Sequence, residues 1–207
     1  MTLADLLFLA SVLFTFGLLF RILYLLVRRN FRGAGRSLRL LAGFLAIYSI
    51  ILVAASLSAP QRVLAMDADR CWDDWCLAVT QASRSPRIGD AHAQGEFYVV
   101  TLRVSSRAGR VTQRALDANV YLVDGRGNTY GVSAIGQQAF ESVNGPARPL
   151  SASLPPNSSF STVRVFDLPK DATRVQLVPE HGAWPGRLII GDSQSFLHKR
   201  TVIRLNF

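Results

Sequence analysis

At 207 residues the chain has room for one domain of ordinary size plus extra segments, since domains cluster near ~100–150 residues. Nearly half the residues are apolar and the formal net charge is +9, a pairing that fits either nucleic-acid binding or a membrane protein with charged flanks. Residues 1–66 carry Arg21, Arg28, Arg29, Arg32, Arg36, Arg39 and Arg62 against Asp5 alone, which is +6 of the total, and the remainder has neither a basic run nor an aromatic-basic interleave; this excludes the footprint of a nucleic-acid binder.

The first apolar run, residues 6–27, is interrupted only by Arg21. At about 1.5 Å per residue it is long enough to cross the ~30 Å hydrocarbon core, and Arg21 sits near enough to its basic end to snorkel toward the headgroups. A second uncharged run, residues 40–59, has the length of another span and stops before Pro60. The connecting stretch 28–39 holds Arg28, Arg29, Arg32, Arg36 and Arg39 and no acid, and an excess of arginine in a short loop marks the cytoplasmic side. The expectation is a two-helix transmembrane hairpin over residues 1–60 in the cytoplasmic (inner) membrane, with both termini outside. A rival reading takes Arg36 and Arg39, the second run and Val53-Ala54-Ala55 as a signal peptide cleaved near Ser56; the complete span ahead of it and an apolar run longer than the usual ~7–15 residues argue against that.

Residues 61–75 read as a juxtamembrane linker ending in Cys71-Trp72-Asp73-Asp74-Trp75-Cys76. Placed in an oxidising compartment, Cys71 and Cys76 are expected to form a disulfide, with Asp73-Asp74 supplying the tight bend that their spacing demands. Free thiols and a metal site are the alternatives; the segment has no histidine and no second cysteine pair, which makes it a poor zinc site. Trp72 and Trp75 suit either the headgroup level of a bilayer or the end of a protein core, with the core favoured.

From residue 76 to 207 short β-branched and aromatic runs alternate with turn residues and no sustained 3.6-residue period appears, so this part is expected to be all-β. Expected strands are 77–81, 96–106, 118–123, 129–132, 161–166, 174–178, 188–190 and 201–205. In the longest, Tyr98, Val100, Leu102 and Val104 should line the core, with Phe97, Val99, Thr101, Arg103 and Ser105 on the other face. Val163, Val165, Val175 and Leu177 are also placed for burial. Asp124-Gly125-Arg126-Gly127-Asn128 reads as a hairpin turn, and the proline-rich stretch 140–156 as a long surface connection. The whole fits an antiparallel two-sheet β-sandwich of immunoglobulin-like type.

Phe97-Tyr98-Val99-Val100-Thr101-Leu102-Arg103-Val104, the hairpin from Leu122 to Tyr130, the Leu154-Pro155-Pro156-Asn157 turn and Val163-Arg164-Val165-Phe166-Asp167-Leu168-Pro169 together resemble the telokin-like, immunoglobulin-related extracytoplasmic domains of unknown function on bacterial lipoproteins and membrane-anchored proteins. The likeness covers roughly residues 76–180 and implies a β-sandwich without catalytic residues to carry over. Here two apparent spans replace the usual lipidated cysteine.

No local motif supports chemistry. Gly131-Val132-Ser133-Ala134-Ile135 lacks the closing glycine of a serine-hydrolase elbow and is assigned to a strand end. His92, His181 and His198 read as separate solvated loop residues, and Asp167, Asp171, Glu180 and Asp192 as turn residues. No catalytic residue, metal site or cofactor is expected. The sequence therefore suggests a non-catalytic binding or scaffold module of the cell envelope whose partners are the lipid bilayer and another envelope or membrane protein. Two alternatives stay open: a ligand sensor or enzyme with a pocket built from separated loops, and a role for the helices themselves through Gly17, Gly43, Ala42 and Ala46.

Overall fold

Two long apolar helices open the chain, α1 (Leu3–Val27) and α2 (Phe31–Ser58). The computed structural model describes residues 3–207, apart from the side chains of Ala183 and Trp184. Two compact units divide it: one takes the chain to Pro60 together with Ala183–Arg200, the other is Gln61–Gly182 with Thr201–Phe207.

In the first unit the turn between the helices is only Arg28–Asn30. Arg29 adopts a left-handed backbone (φ 55°), and the Asn30 side chain caps α2 by accepting from Gly33 N at 3.0 Å. This corrects the expected loop over 28–39: Arg32, Arg36 and Arg39 lie on the opening turns of α2, because a helix capped at Asn30 starts ahead of its apolar stretch. α1 and α2 meet through an edge-on pair, Phe14 and Phe44, with ring centroids 4.8 Å apart. Hydroxyls within the helices turn back onto the backbone: Ser11 donates to Phe8 O at 2.7 Å and Thr15 to Ser11 O at 2.8 Å. A Cβ on Gly17 or Gly43 would meet nothing within 4 Å, so neither glycine serves the contact between the two helices.

The second unit is a two-sheet β-sandwich. In chain order its elements are β1 (Val63–Leu64), β2 (Arg70–Trp72), β3 (Trp75–Ile88), β4 (Ala91–Ser106), β5 (Asn119–Val123), β6 (Thr129–Tyr130), the helix α3 (Ala134–Asn144), β7 (Ser159–Leu168) and β8 (Gln176–Glu180); a single helical turn, α4 (Ala183–Gly186), belongs to the first unit and precedes β9 (Val202–Arg204). One sheet has the order β1-β9-β8-β5-β6, the other β2-β3-β4-β7. All neighbours are antiparallel except β1 and β9, which run parallel. The strands begin at Val63, inside the stretch expected to be a linker, because Val63 and Leu64 pair with Val202 and Ile203.

β4 is one of the two inner strands of its sheet, and Tyr98, Val100, Leu102 and Val104 face inward as their alternation predicts. They pack with Trp75, Leu77 and Val79 of β3, Phe160, Phe166 and Leu168 of β7, and Leu122, Leu177 and Ile203 from the facing sheet. Burial of a side chain of this size stabilises by roughly 1.5–3 kcal/mol. Val163 and Val165 do not join this core. The even-numbered residues of β7 point inward, so Val165 is buried on the opposite face, alongside Phe97, beneath α3.

α3 is the main departure from the all-β expectation and occupies the start of the supposed surface connection. Ser133 caps it, accepting from Gly136 N at 3.2 Å, and Gly145 (φ 85°) ends it by donating to Glu141 O. Ser133 thus stands at a helix start, not at a strand end. β7 is an edge strand, and the Gln137 side chain covers that edge: its Oε1 accepts from Val165 N at 3.0 Å and its Nε2 donates to Val163 O at 3.2 Å. The expected strand at 188–190 is turn backbone instead, closed by Leu188 N to Pro185 O and Ile189 N to Gly186 O at 2.9 and 3.1 Å, because the short apolar run between two glycines has no strand to pair with.

Gly136 is where α3 touches the sheet: an added Cβ would stand 2.8 Å from Val165 Cγ1 and 2.9 Å from Phe97 Cε1. Gly136→Ala is therefore expected to destabilise the sandwich by about 1–3 kcal/mol, measured as a lower denaturant midpoint. A helix lying free of the sheet would give the opposite sign, a gain of about 1 kcal/mol from helix propensity.

Candidate functional site

The Cys71–Cys76 disulfide closes one end of the sandwich. β2 and β3 form a hairpin in which Cys71 faces Cys76 and Trp72 faces Trp75, so Asp73 and Asp74 make a two-residue turn, with Asp73 at φ 51°. Trp75 is buried in the core and Trp72 packs against it, which makes the tryptophans a cap of the core. His181 is no solvated loop residue. Its ring lies 5.0 Å from that of Trp75 and 5.9 Å from that of Trp72, and its Nδ1 is 2.5 Å from Asp117 Oδ1. Burial works against ionisation of Asp117, but the hydrogen bonds from Gly182 N and His181 outweigh it and hold the carboxyl below its ordinary range.

The other residues singled out from the sequence are dispersed. Asp167 accepts from Gln94 N and Gly95 N, Asp171 pairs with Arg126, Glu180 accepts from Tyr121 Oη and Asp192 from Gln194 N. His92 is exposed on β4 and His198 is held by Lys199 O. Among the described residues no cluster of three or more His, Cys, Asp or Glu side chains is positioned to hold a metal.

A cleft of about 570 Å³ opens elsewhere on the sandwich, where Arg84 of β3 meets the chain at 172–176 and 204–207. Ala172, Val175 and Leu205, all core residues, form its apolar floor. Arg84, Arg174 and Arg204 line it with Gln176, Thr173 and Phe207, and the lining contains no carboxylate, histidine, serine or cysteine side chain. Arg204 and Gln176 are register partners across β8 and β9. The guanidinium of Arg84 stacks 4.2 Å from the Phe207 ring centroid and 5.4 Å from that of Tyr98, with Glu96 Oε2 3.9 Å from its Nη1. Such a lining attracts anions.

The hairpin between β5 and β6 supports one wall. Gly125 N donates to Thr173 O at 2.8 Å, and a Cβ on Gly125 would stand 3.3 Å from Arg174 Cβ, a tight fit that glycine relieves. Arg126 reaches Asp171 at 2.9 Å, just before the cleft segment. Asp124, with no exposed side-chain surface, organises the turn: it accepts from Arg126 N, Asn128 N and Asn128 Nδ2, each at 2.9 Å, and from Tyr130 Oη at 3.1 Å. Burial opposes its ionisation, and these donors together overcome burial and hold its pKa at about 2.

No alternation, motif or spacing in the sequence flagged Arg84, Arg174 or Arg204, which come from three separate segments. The outward position of Arg204 beside the inward Ile203 and Leu205 was the one available signal.

No family model matches the chain, and no curated protein does. Among solved structures, a conserved hypothetical protein from Bacillus anthracis is similar over 56% of this chain and 89% of its own, with 15% identity and a TM-score of 0.47. A secreted protein of Mycobacterium tuberculosis, MPT63, is similar over 60% of this chain and 93% of its own, with 15% identity and a TM-score of 0.44. An uncharacterized β-sandwich protein from Clostridium difficile is similar over 72% and 97%, with 8% identity and a TM-score of 0.42. No site residue is carried across from them, and the two-sheet architecture rests on the pairing of this chain's own strands.

Because the folded pKa of Asp124 is depressed to about 2, the unfolded state binds more protons between that value and ~3.9, and stability rises with pH through this window. The contribution is complete above ~4 and lost as pH falls through about 2. Asp124→Asn is expected to lower the denaturant midpoint at neutral pH and to flatten its acid limb. An unchanged acid limb would show that Asp124 does not hold the turn.

Proposed function

We propose that this chain is a non-catalytic binding module of the cell envelope. In this reading α1 and α2 are an uncleaved transmembrane hairpin, Arg28, Arg29, Arg32, Arg36 and Arg39 keep the connecting turn and the start of α2 on the cytoplasmic side, and an immunoglobulin-like, telokin-like sandwich stands outside the cytoplasm. Two observations support the anchor: the helices are long and apolar enough to cross a bilayer, and α2 is hydrogen-bonded through Tyr48 and Ser56 to residues 188 and 195, partners that cleavage near Ser56 would strand. The Cys71–Cys76 disulfide agrees with an oxidising compartment.

The observation that carries the binding function is the cleft lined by Arg84, Arg174 and Arg204, of which only Arg84 has an acid within salt-bridge distance among the described residues, Glu96 at 3.9 Å. Its chemistry suits an acidic segment of another envelope or membrane protein. Magnitudes favour an extended partner over a small anion. An exposed ion pair contributes up to ~1 kcal/mol, and three of them fall short of the ~4 kcal/mol of even a millimolar complex. A ligand must therefore also cover the apolar floor, and confinement to one membrane raises its effective concentration.

A photocrosslinking amino acid at Gln176, in the full chain in its native membrane, tests this. Adducts with an acidic partner are expected, reduced about 30-fold by combined Arg174→Glu and Arg204→Glu if each pair contributes ~1 kcal/mol. Adducts indifferent to charge reversal and salt, or turnover of a small substrate by the purified chain alone, would overturn it.

A further inference from the structure

The arginine-lined cleft lies where both sheets lose their edge cover. β2 pairs with β3 only from Trp75 to Leu77, and just beyond it Asp67 N donates to Val79 O at 2.8 Å. β3 runs on to Ile88, and past Val79 no strand among the described residues pairs with that side of it. In the facing sheet β1 covers Val202 and Ile203 alone, and Arg204, which lines the cleft, follows directly.

The direction of the free backbone groups follows from the ladder. Ser106 N donates to Ser158 O, so the even-numbered residues of β4 turn their amides toward β7 and the odd-numbered ones toward β3. Thr101, Val99 and Phe97 stand opposite Gln81, Ser83 and Ser85. Those three residues of β3 therefore bond to β4, and between them Ala82 and Arg84 turn N–H and C=O away from the sheet. A register shift between Val79 and Gln81 bounds this stretch on one side. Pro86, which has no N–H, and the shift between Ser85 and Arg87 bound it on the other. An edge of this kind is a template for one more short strand.

Side chains along the flank determine what that strand must carry. Arg84 is the register partner of Tyr98 and shares its face, with its guanidinium over the Tyr98 and Phe207 rings. Ser83 is on the opposite face of β3. Arg174 and Arg204 complete the cleft, and Arg87 follows on β3 itself. A second copy of this chain added edge to edge would set arginine against arginine, whereas an acidic strand meets opposite charge. We infer, on the reading of the cleft as the site for an acidic segment, that the segment binds as an added β-strand. Its backbone pairs with Ala82 and Arg84, and acidic side chains two residues apart on one face reach Arg84, Arg174 and Arg204. Main-chain bonds then supply affinity and the arginines select for charge.

The test uses the full chain in its native membrane, with a diazirine amino acid placed singly at Gln176 in the cleft or at Ser83 on the far face of β3, and maps the adducts by mass spectrometry. A strand added to β3 passes about 5 Å from a side chain at Ser83, while a segment confined to the cleft does not face it. Capture of the same acidic segment at both positions is the expected result. Ala82→Pro removes an outward donor and leaves the β3–β4 ladder intact, and it is expected to reduce the Gln176 adducts about fivefold. The Ser83 probe keeps every edge amide in place, so its result stands whatever Ala82→Pro does to stability. Acidic adducts at Gln176 with none at Ser83, adducts at Ser83 to a second copy of this chain, or Gln176 adducts undiminished by Ala82→Pro overturn strand addition while the acidic-segment reading stands. Absence of acidic adducts at Gln176 in the otherwise unaltered chain overturns both.

Discussion

A backbone amide taken out of water must find an acceptor inside the protein, and the arrangement of this chain follows from how each segment meets that demand. In α1 and α2 the helical ladder meets it, and Ser11, Thr15 and Ser56 add their hydroxyls to it by bonding back one turn. In the sandwich the ladders do so between strands, and the exposed side of β7 is met by a side chain, the Gln137 amide, which both gives and accepts. Residues 183–200 meet it with a succession of tight turns. Ladder, side chain and tight turn are three different solutions to one demand.

Side-chain packing then selects among the folds that satisfy the backbone. The inward set on β4 fixes the register of its sheet, because a one-residue slip would turn Tyr98, Val100, Leu102 and Val104 to the other face. On that other face Phe97 and Val165 need cover, and α3 supplies it only because Gly136 lets the backbone come close. At the disulfide end the rings of Trp72, Trp75 and His181 pack against one another, while the arginine-lined cleft opens elsewhere on the sandwich.

Much of this was legible in the sequence where a pattern was long. The two apolar helices, the inward face of β4, the turn at Asp124–Asn128 and the pairing of Cys71 with Cys76 each rest on length, period or turn chemistry. What was missed rests on single contacts between distant residues. α3 offers no reliable core-facing stripe, since Ile135 and Val143 of its apolar row are exposed and Gly136 and Gln137 make close contacts with the sheet. The run at 188–190 is too short for periodicity to tell strand from turn, and its partner, Tyr48, is 140 residues away. The boundary at Arg39 was misplaced because charge marks the edge of an apolar stretch, while a cap at Asn30 marks the start of a helix. The cleft combines positions 84, 174 and 204, which only the folded chain brings to one rim.

The placement of the sandwich outside the cytoplasm on an uncleaved helix pair is tested most directly by sided proteolysis. A recognition sequence for a specific protease, inserted at the exposed Leu116, would be challenged in right-side-out and inverted membrane vesicles. Cleavage in right-side-out vesicles only, with an N-terminal fragment that retains the chain from α1 onward and stays in the membrane, is the result predicted. Cleavage in inverted vesicles only, or a released protein whose chain starts near Ser56, would contradict it.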